Sequence, residues 1–333
     1  MPQVPKKYTC LCRDFCCKIC KEGSDENMYT DVSIARTASG SHTQTAKIDS
    51  QMKHLLSKAN EIQQNRGFVN IQLLNEGYIE MTKSWICNVQ EFNNVLESTL
   101  FITTDTESIS QLRSFCANLN IVQISYHTPK DMSYGQYAYW DYMLFRSNVI
   151  ISLLQSNITV WLTESDAAWL SDPTDTILKT NGDYVTMSDV APPGKMLQCG
   201  FQFLRPTQGT ISVWLKMRQK LKQKLQNTQV GTEMGDSGSD QLMLNNFIQA
   251  EPHLKVHWLD HRMFAPGQYY SNRQYYQNPI VILNNWIIGN DAKKKRARQW
   301  KHWYLNENGE CTPFTECSPS QIQIDREIER ESS

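Results

Sequence analysis

The sequence predicts an α/β fold on a mainly parallel sheet with helices on both faces. From residue 68 onward, short apolar and β-branched runs alternate with helical stretches of ten or more residues, the pattern of parallel strands joined by crossover helices. Apolar residues make up 40% of the 333-residue chain and charged residues 20%, enough for a core and too few charges for a disordered polymer. Thirty-three Lys and Arg against 34 Asp and Glu leave a formal charge of −1, which removes the bulk electrostatic reason to expect nucleic acid or an anionic membrane as the main partner.

Residues 1–47 read as a Cys-rich, polar and flexible arm. At 48–65, Ile48, Met52, Leu55, Leu56, Ala59 and Ile62 recur at spacings of three and four, which predicts a helix, either packed on the domain or stem-like. A strand at 68–74 breaks at Asn75-Glu76-Gly77, and a helical stretch runs on through Trp85. A second strand at 99–103 ends at Asp105. Leu112, Phe115, Cys116 and Leu119 give 107–118 a helical stripe, followed by a strand at 121–125, a helix at 137–154 and a strand at 159–162.

The second half is less regular. Strands are expected at 184–187, 200–204, 256–259 and 280–283. Helices are expected at 207–226, started by Pro206-Thr207, and at 240–249 and 292–303. The loop 229–239 holds three glycines and two acids and suits a mobile cover over a site, while 306–333 is a polar tail. No apolar run approaches the ~18 residues of a spanning helix. The nine Trp and 14 Tyr suggest large grooves or aromatic-lined sites.

Five of the ten cysteines fall within the first twenty residues. That cluster admits zinc binding, S-acylation beside Lys6, Lys7 and Lys18, or no role at all. Cys311 and Cys317 flank Pro313 and are the expected disulfide in an oxidising compartment. No apolar signal-peptide core is visible in 1–20.

The sharpest chemical feature is an apolar strand that runs into Glu164-Ser165-Asp166, followed by Trp169 and Asp172-Pro173. Ligands of open parallel sheets bind at strand carboxyl ends, and two acids there can converge on one hard cation. Glu164-Ser165-Asp166 resembles the metal-binding D-x-D segment of the nucleotide-diphospho-sugar transferases, GT-A-fold enzymes related to plant cell-wall xylosyl- and arabinosyltransferases. The resemblance continues in order over 66–305. It takes in Asn75-Glu76-Gly77-Tyr78, Gly135-Gln136-Tyr137 with Arg146, and Cys199-Gly200-Phe201. It then takes in Asp240-Gln241 with Asn245, and Asn284-Asn285-Trp286 with Gly289 and Lys293.

The resemblance implies a GT-A-like, Rossmann-type nucleotide-sugar-binding fold and retaining transfer from a donor, expected to be a UDP-sugar, to a glycan or glycoconjugate. Glu164 and Asp166 would hold Mn²⁺ or Mg²⁺; Asn75, Arg146, Gly200, Gly289 and Lys293 would bind the donor; and Asp240 and Gln241 would lie nearest the reacting carbon. Asp240 could stabilise charge or act as nucleophile, and its bland reading is a helix N-cap. The rest of the basic run 293–298 reads as a solvated helix face. Gly200 could equally mark a strand kink.

Two positions depart from the family pattern. Glu164 replaces the usual Asp, and Leu283 stands where a further metal-ligating His is usual. A catalytically impaired relative that binds donor or glycan without turnover is therefore an alternative, as is an interaction protein working through the Cys-rich arm. The resemblance also implies the Golgi or secretory pathway and a single membrane anchor. No such anchor is visible, so a truncated or variant form is expected, touching membrane only through a missing anchor or an acylated arm.

His257 and His261 are four apart in a predicted strand and do not share a helical face, so a catalytic zinc site is not expected. Asn157-Ile158-Thr159 is the sole N-glycosylation sequon. Tyr269, Tyr270, Tyr275 and Tyr276 read either as an acceptor-stacking group or as a surface hairpin.

Overall fold

Helix α1 (His42–Arg66) buries Ile48, Met52, Leu55, Ala59 and Ile62 along one face, the face their spacing marks. Its polar side chains also reach the segments flanking the sheet: Gln51 accepts from the Ser125 N–H at 3.0 Å, and Gln63 donates to the Asn157 carbonyl at 3.1 Å. Residues 48–62 therefore form a packed helix. The computed structural model describes residues 42–312 apart from 131, 133, 191–195 and 229–238. The Cys-rich cluster, the body of the glycine-bearing loop and the polar tail from 313 lie outside the described residues.

The first half alternates strand and helix as its sequence pattern requires. It comprises β1 (Val69–Leu74), α2 (Ile79–Val89), α3 (Val95–Ser98), β2 (Thr99–Thr103), α4 (Thr106–Phe115), β3 (Asn120–Gln123), α5 (Tyr137–Gln155) and β4 (Val160–Thr163). The second half comprises β5 (Ala167–Trp169), α6 (Thr174–Leu178), β6 (Tyr184–Ser188), β7 (Leu197–Leu204) and α7 (Gln208–Gln226). It continues with α8 (Asp240–Gln249), β8 (Val256–Trp258), β9 (Phe264–Ala265), β10 (Val281–Leu283) and α9 (Asn290–Gln299).

A seven-stranded sheet has the order β3-β2-β1-β4-β7-β6-β8, and only β7 runs against the others. A second, three-stranded sheet has the order β5-β10-β9. The expected α/β fold with a mainly parallel central sheet is thus what forms. Strands β1, β2, β4, β6 and β7 are buried almost throughout, as strands covered on both faces must be. Side-chain caps start the key helices: Asp105 accepts from Ser108 N–H at 2.7 Å, and Ser239 accepts from Leu242 N–H at 3.1 Å.

Most of the aromatic surplus is core. Trp85, Trp140, Trp161, Trp169 and Trp214 are each less than 2% exposed. Trp161 of β4 stacks on Trp169 of β5 with centroids 5.3 Å apart, and Trp85 of α2 meets Trp169 edge-on at 5.4 Å. Tyr269 and Tyr276 are also buried, beside Ala265 and Ile282, so they cannot form an exposed stacking surface.

The expected Cys311–Cys317 disulfide is not the one formed. Cys311 bonds Cys87 of α2, 224 residues away, with Cα atoms 5.3 Å apart. The chain after α9 returns across α2, where the Tyr304 N–H donates to Ser84 Oγ at 3.0 Å, and that return brings the two sulfurs together. No helix of the described residues is long and apolar enough to cross a membrane.

Candidate active site

Strands β1, β4 and β6 end on the same edge of the sheet, and a cleft of about 730 Å³ opens there. Of the residues the sequence singles out, Arg146, Glu164, Gly200, Asp240 and Gln241 line it, together with Gly289 and Lys293. Asp166 is not part of this lining, and neither is Asn75. Asn75 is 2% exposed, and its side chain donates to the Pro129 carbonyl at 2.7 Å, bracing the neighbouring loop, while Tyr78, three residues on, faces the cleft.

Glu164 follows β4, and its N–H donates to the Gly200 carbonyl at 3.1 Å. Its side chain is 40% exposed, and the open part faces the cleft. Loss of bulk water and then the Asp166 charge raise its carboxyl pKa to about 7, against the pull of Lys293 and Arg146. Gly200 is explained by the same carboxylate: a Cβ at position 200 would lie 2.5 Å from Glu164 Oε2.

Asp166, two residues on, is 9% exposed as a residue and 2% as a side chain. Lys293 Nζ of α9 lies 2.6 Å from its Oδ2, while Oδ1 is buried without a hydrogen-bond partner. Burial opposes the Lys293 charge, but Asp166, Tyr78 and Glu164 outweigh it and raise the ammonium pKa. Gly289 opens α9 at φ 93°, a conformation side chains rarely adopt, and leaves the backbone open there.

On the other wall, Arg146 from the middle of α5 donates to Asp240 Oδ2 at 2.9 Å and lies 3.6 Å from Glu164 Oε1. Tyr139, two turns earlier on α5, donates to Asp240 Oδ1 at 3.1 Å. Both Asp240 oxygens are therefore engaged. Asp240 is not the cap of α8: Ser239 holds that position and Asp240 is the first helical residue.

Two residues outside the sequence reading join the site. Asp189, just past β6, accepts from Gln241 Nε2 at 2.9 Å, Asn285 Nδ2 at 2.7 Å and Trp286 Nε1 at 3.1 Å. Burial raises its pKa although those three bonds favour the charged form. Its only sequence signal was position, an acid at the carboxyl end of a predicted strand. Arg296, assigned to a solvated face, instead donates Nε to Asn284 Oδ1 at 2.7 Å and Nη2 to the Asn285 carbonyl at 2.5 Å, clamping the segment before α9. Lys294 of the same run pairs with Glu80 at 2.7 Å.

Leu283 is 1% exposed and belongs to the main apolar core, not the cleft. No group of three or more His, Cys, Asp or Glu placed to hold a metal ion together is found among the described residues.

The cleft thus has fixed cations beside carboxylates at the carboxyl edge of an α/β sheet, the equipment of a protein that handles a phosphorylated ligand. The chain belongs to the nucleotide-diphospho-sugar transferase family, whose profile matches residues 94–297. A UDP-D-xylose:L-fucose alpha-1,3-D-xylosyltransferase of Arabidopsis thaliana is 18% identical over 282 residues, covering 78% of this chain and 76% of that protein. A beta-arabinofuranosyltransferase of the same plant is 24% identical, covering 68% of this chain and 45% of its own length. A UDP-galactose:fucoside alpha-3-galactosyltransferase of Dictyostelium discoideum is 24% identical over 53% of this chain and 30% of its own. Among solved structures, the galactosyltransferase LgtC with donor and acceptor sugar analogs aligns at 10% identity and a TM-score of 0.44, covering 70% of this chain and 96% of that one.

Proposed function

We propose that the protein transfers a sugar from a UDP-linked donor to a hydroxyl of a glycan or glycoconjugate, with a divalent cation and retention at the anomeric carbon. The observation that carries this reading is the convergence of Glu164, Lys293 and the Arg146–Asp240 pair on one cleft from four separate elements.

The donor set fits a hard cation such as Mn²⁺ or Mg²⁺. Glu164 offers a carboxylate open to the cleft, and Asp166 has a buried oxygen with no partner. Glu164 and Asp166 would hold the ion, with donor oxygens and water completing its shell in place of a side chain at 283. Bound there, the ion would neutralise charge developing on the departing diphosphate. Lys293 and the open backbone at Gly289 sit at the N-terminus of the ten-residue α9, which suits the same diphosphate.

Arg146 orients Asp240 and carries positive charge to the same region. Because Tyr139 and Arg146 occupy both oxygens of Asp240, this carboxylate is better suited to holding donor hydroxyls and stabilising a cationic sugar than to attacking it. The acceptor's proton would then pass to the leaving phosphate. Gln241 lies beside Asp240 in the cleft lining, and Gly200 keeps room for the Glu164 carboxylate. Asn75 would act on the donor's base only indirectly, through the loop it braces.

The activities of these relatives make UDP-xylose and UDP-galactose the first donors to try and fucosides the first acceptors. The Cys87–Cys311 disulfide favours an oxidising compartment, and Asn157 of the sequon is exposed, both of which support the Golgi or secretory pathway.

A nucleotide-sugar screen with and without Mn²⁺, read by UDP release and thermal shift, tests the proposal. Asp166→Asn is expected to abolish turnover and metal-dependent stabilisation with the fold intact; full activity in that variant would refute the metal assignment. Donor binding without turnover in the wild-type chain would favour the impaired relative. Loss of binding and activity on deleting residues 1–47 would favour the arm.

A further inference from the structure

Trp286 is the one Trp of the described residues that is exposed, at 50%, and it lines the cleft. It is held there against two preferences. A large apolar side chain gains by burial, and a non-glycine residue avoids the left-handed backbone, yet Trp286 sits at φ 63°. An observed outlier of this kind at a cleft points to function.

The indole is fixed rather than loose. Its N–H donates to Asp189, which is 9% exposed and has no ion-pair partner among the described residues. The same carboxylate binds Gln241 at the start of α8 and Asn285 beside Trp286. Asn285 Oδ1 in turn accepts from the Gly267 N–H at 2.5 Å, and its carbonyl accepts from Arg296. Three neutral donors on one buried carboxylate thus hold in place an aromatic side chain that stays half exposed in the cleft.

We propose that Trp286 is the stacking platform for the sugar ring of the acceptor, with Asp189 as its positioning residue; this rests on the transferase reading above. An indole face takes the apolar C–H face of a pyranoside or furanoside, while polar groups nearby take its hydroxyls. The acceptor, rather than the donor, follows from exposure. The groups assigned to the donor, Arg146, Asp240 and Lys293, have side chains only 6%, 6% and 16% exposed, whereas Trp286 is 50% exposed; tied through Asp189 to Gln241, it stands nearer the mouth of the cleft, where a ligand entering after the donor meets it.

The test uses the full chain labelled with 5-fluorotryptophan and ¹⁹F NMR, with the Trp286 resonance assigned by Trp286→Phe. Methyl α-L-fucoside, methyl β-D-galactoside and methyl α-L-arabinofuranoside are each titrated into protein saturated with UDP. The Trp286 resonance is expected to move with at least one glycoside and to stay in place with UDP alone. A resonance that moves only with UDP, or with none of the glycosides, overturns the proposal. In turnover assays, Trp286→Ala should raise the acceptor KM about tenfold and leave the donor KM within about twofold. Asp189→Asn should move the acceptor KM in the same direction, and Trp286→Phe should retain most of the affinity. A rise in donor KM instead would reassign the platform to the donor. A glycoside-induced shift without any UDP release would leave the platform standing and remove the transferase reading.

Discussion

Gly200→Ala isolates the placement of one carboxylate. The new Cβ would lie 2.5 Å from Glu164 Oε2 and 2.7 Å from Cδ, where ordinary contacts begin near 3.4 Å, so the carboxylate must retreat by about 0.9 Å. If it could not move, the overlap would cost about 1–3 kcal/mol of stability. It sits at the end of a flexible side chain with an open path into the cleft, so the strain should be relieved by rotation and Tm should fall by less than about 2 °C. Function should suffer more. A displacement near 1 Å at a reacting site costs on the order of 10²-fold in rate. UDP release, calorimetric Mn²⁺ titration and a melting curve on the same preparation separate the two effects. The double variant with Glu164→Ala provides the control: if Gly200 acts only by making room for this carboxylate, adding Gly200→Ala to Glu164→Ala changes nothing further. Turnover within about threefold of wild type in Gly200→Ala would refute the reasoning, because Glu164 could then be moved without consequence.

Three further perturbations probe the scaffold around the site. Cys311→Ala opens a crosslink between residues 224 apart, which should cost about 5 kcal/mol, or about 10 °C in Tm, in scanning calorimetry without reductant; equal melting of variant and wild type there would remove the disulfide from the folded state. Burial, and secondarily Arg273, lowers the His302 pKa to about 4, so the folded state resists a proton that the unfolded chain accepts below about 6.5. Stability should therefore be complete above about pH 6.5 and decline toward pH 4, by on the order of 2 kcal/mol, and His302→Gln should flatten denaturation midpoints measured between pH 7.5 and 4.5; parallel pH profiles would contradict this. Leu283→His places an imidazole in the apolar core, so about 2–3 kcal/mol should be lost in chemical denaturation with no gain in Mn²⁺ affinity; tighter Mn²⁺ binding would instead put position 283 at the ion.

The sequence pattern located elements whose own residues decide them. The bounds of β2 and α8 coincide with those read from the chain, because β-branched residues fill the first and a serine cap starts the second. Strands β5 and β9 were missed, since three and two residues carry no period and exist only by pairing with β10. The last helix stops at Gln299 rather than running to 303. Trp300 and His302 turn instead onto Tyr269 and Tyr270, and Lys301 takes φ 58° to allow it. At the site, motif order found the residues at strand and helix ends but not their pairings. That Lys293 caps Asp166 and Arg146 caps Asp240 depends on how α9 and α5 lie against the sheet, which local pattern does not encode. Asp189 was legible in principle, because β6 runs parallel to β4 and its carboxyl end reaches the same edge.

These pairings give the near-neutral charge of the chain a local meaning. Two of the three central carboxylates have a dedicated cation, Asp166 at 2.6 Å and Asp240 at 2.9 Å, and these pairs hold their side chains in place before any ligand arrives. Glu164 is the remainder, 3.6 Å from an arginine already committed to Asp240, and loss of water, then the Asp166 charge, raise its pKa against the pull of Lys293 and that arginine. Three carboxylates against two cations make the resting site slightly acidic, which suits a divalent ion and disfavours a bare diphosphate. With such an ion at Glu164 the balance would reverse to a single positive excess, and the same cleft would attract a diphosphate. The site therefore requires few basic residues, because their placement rather than their number sets the local potential.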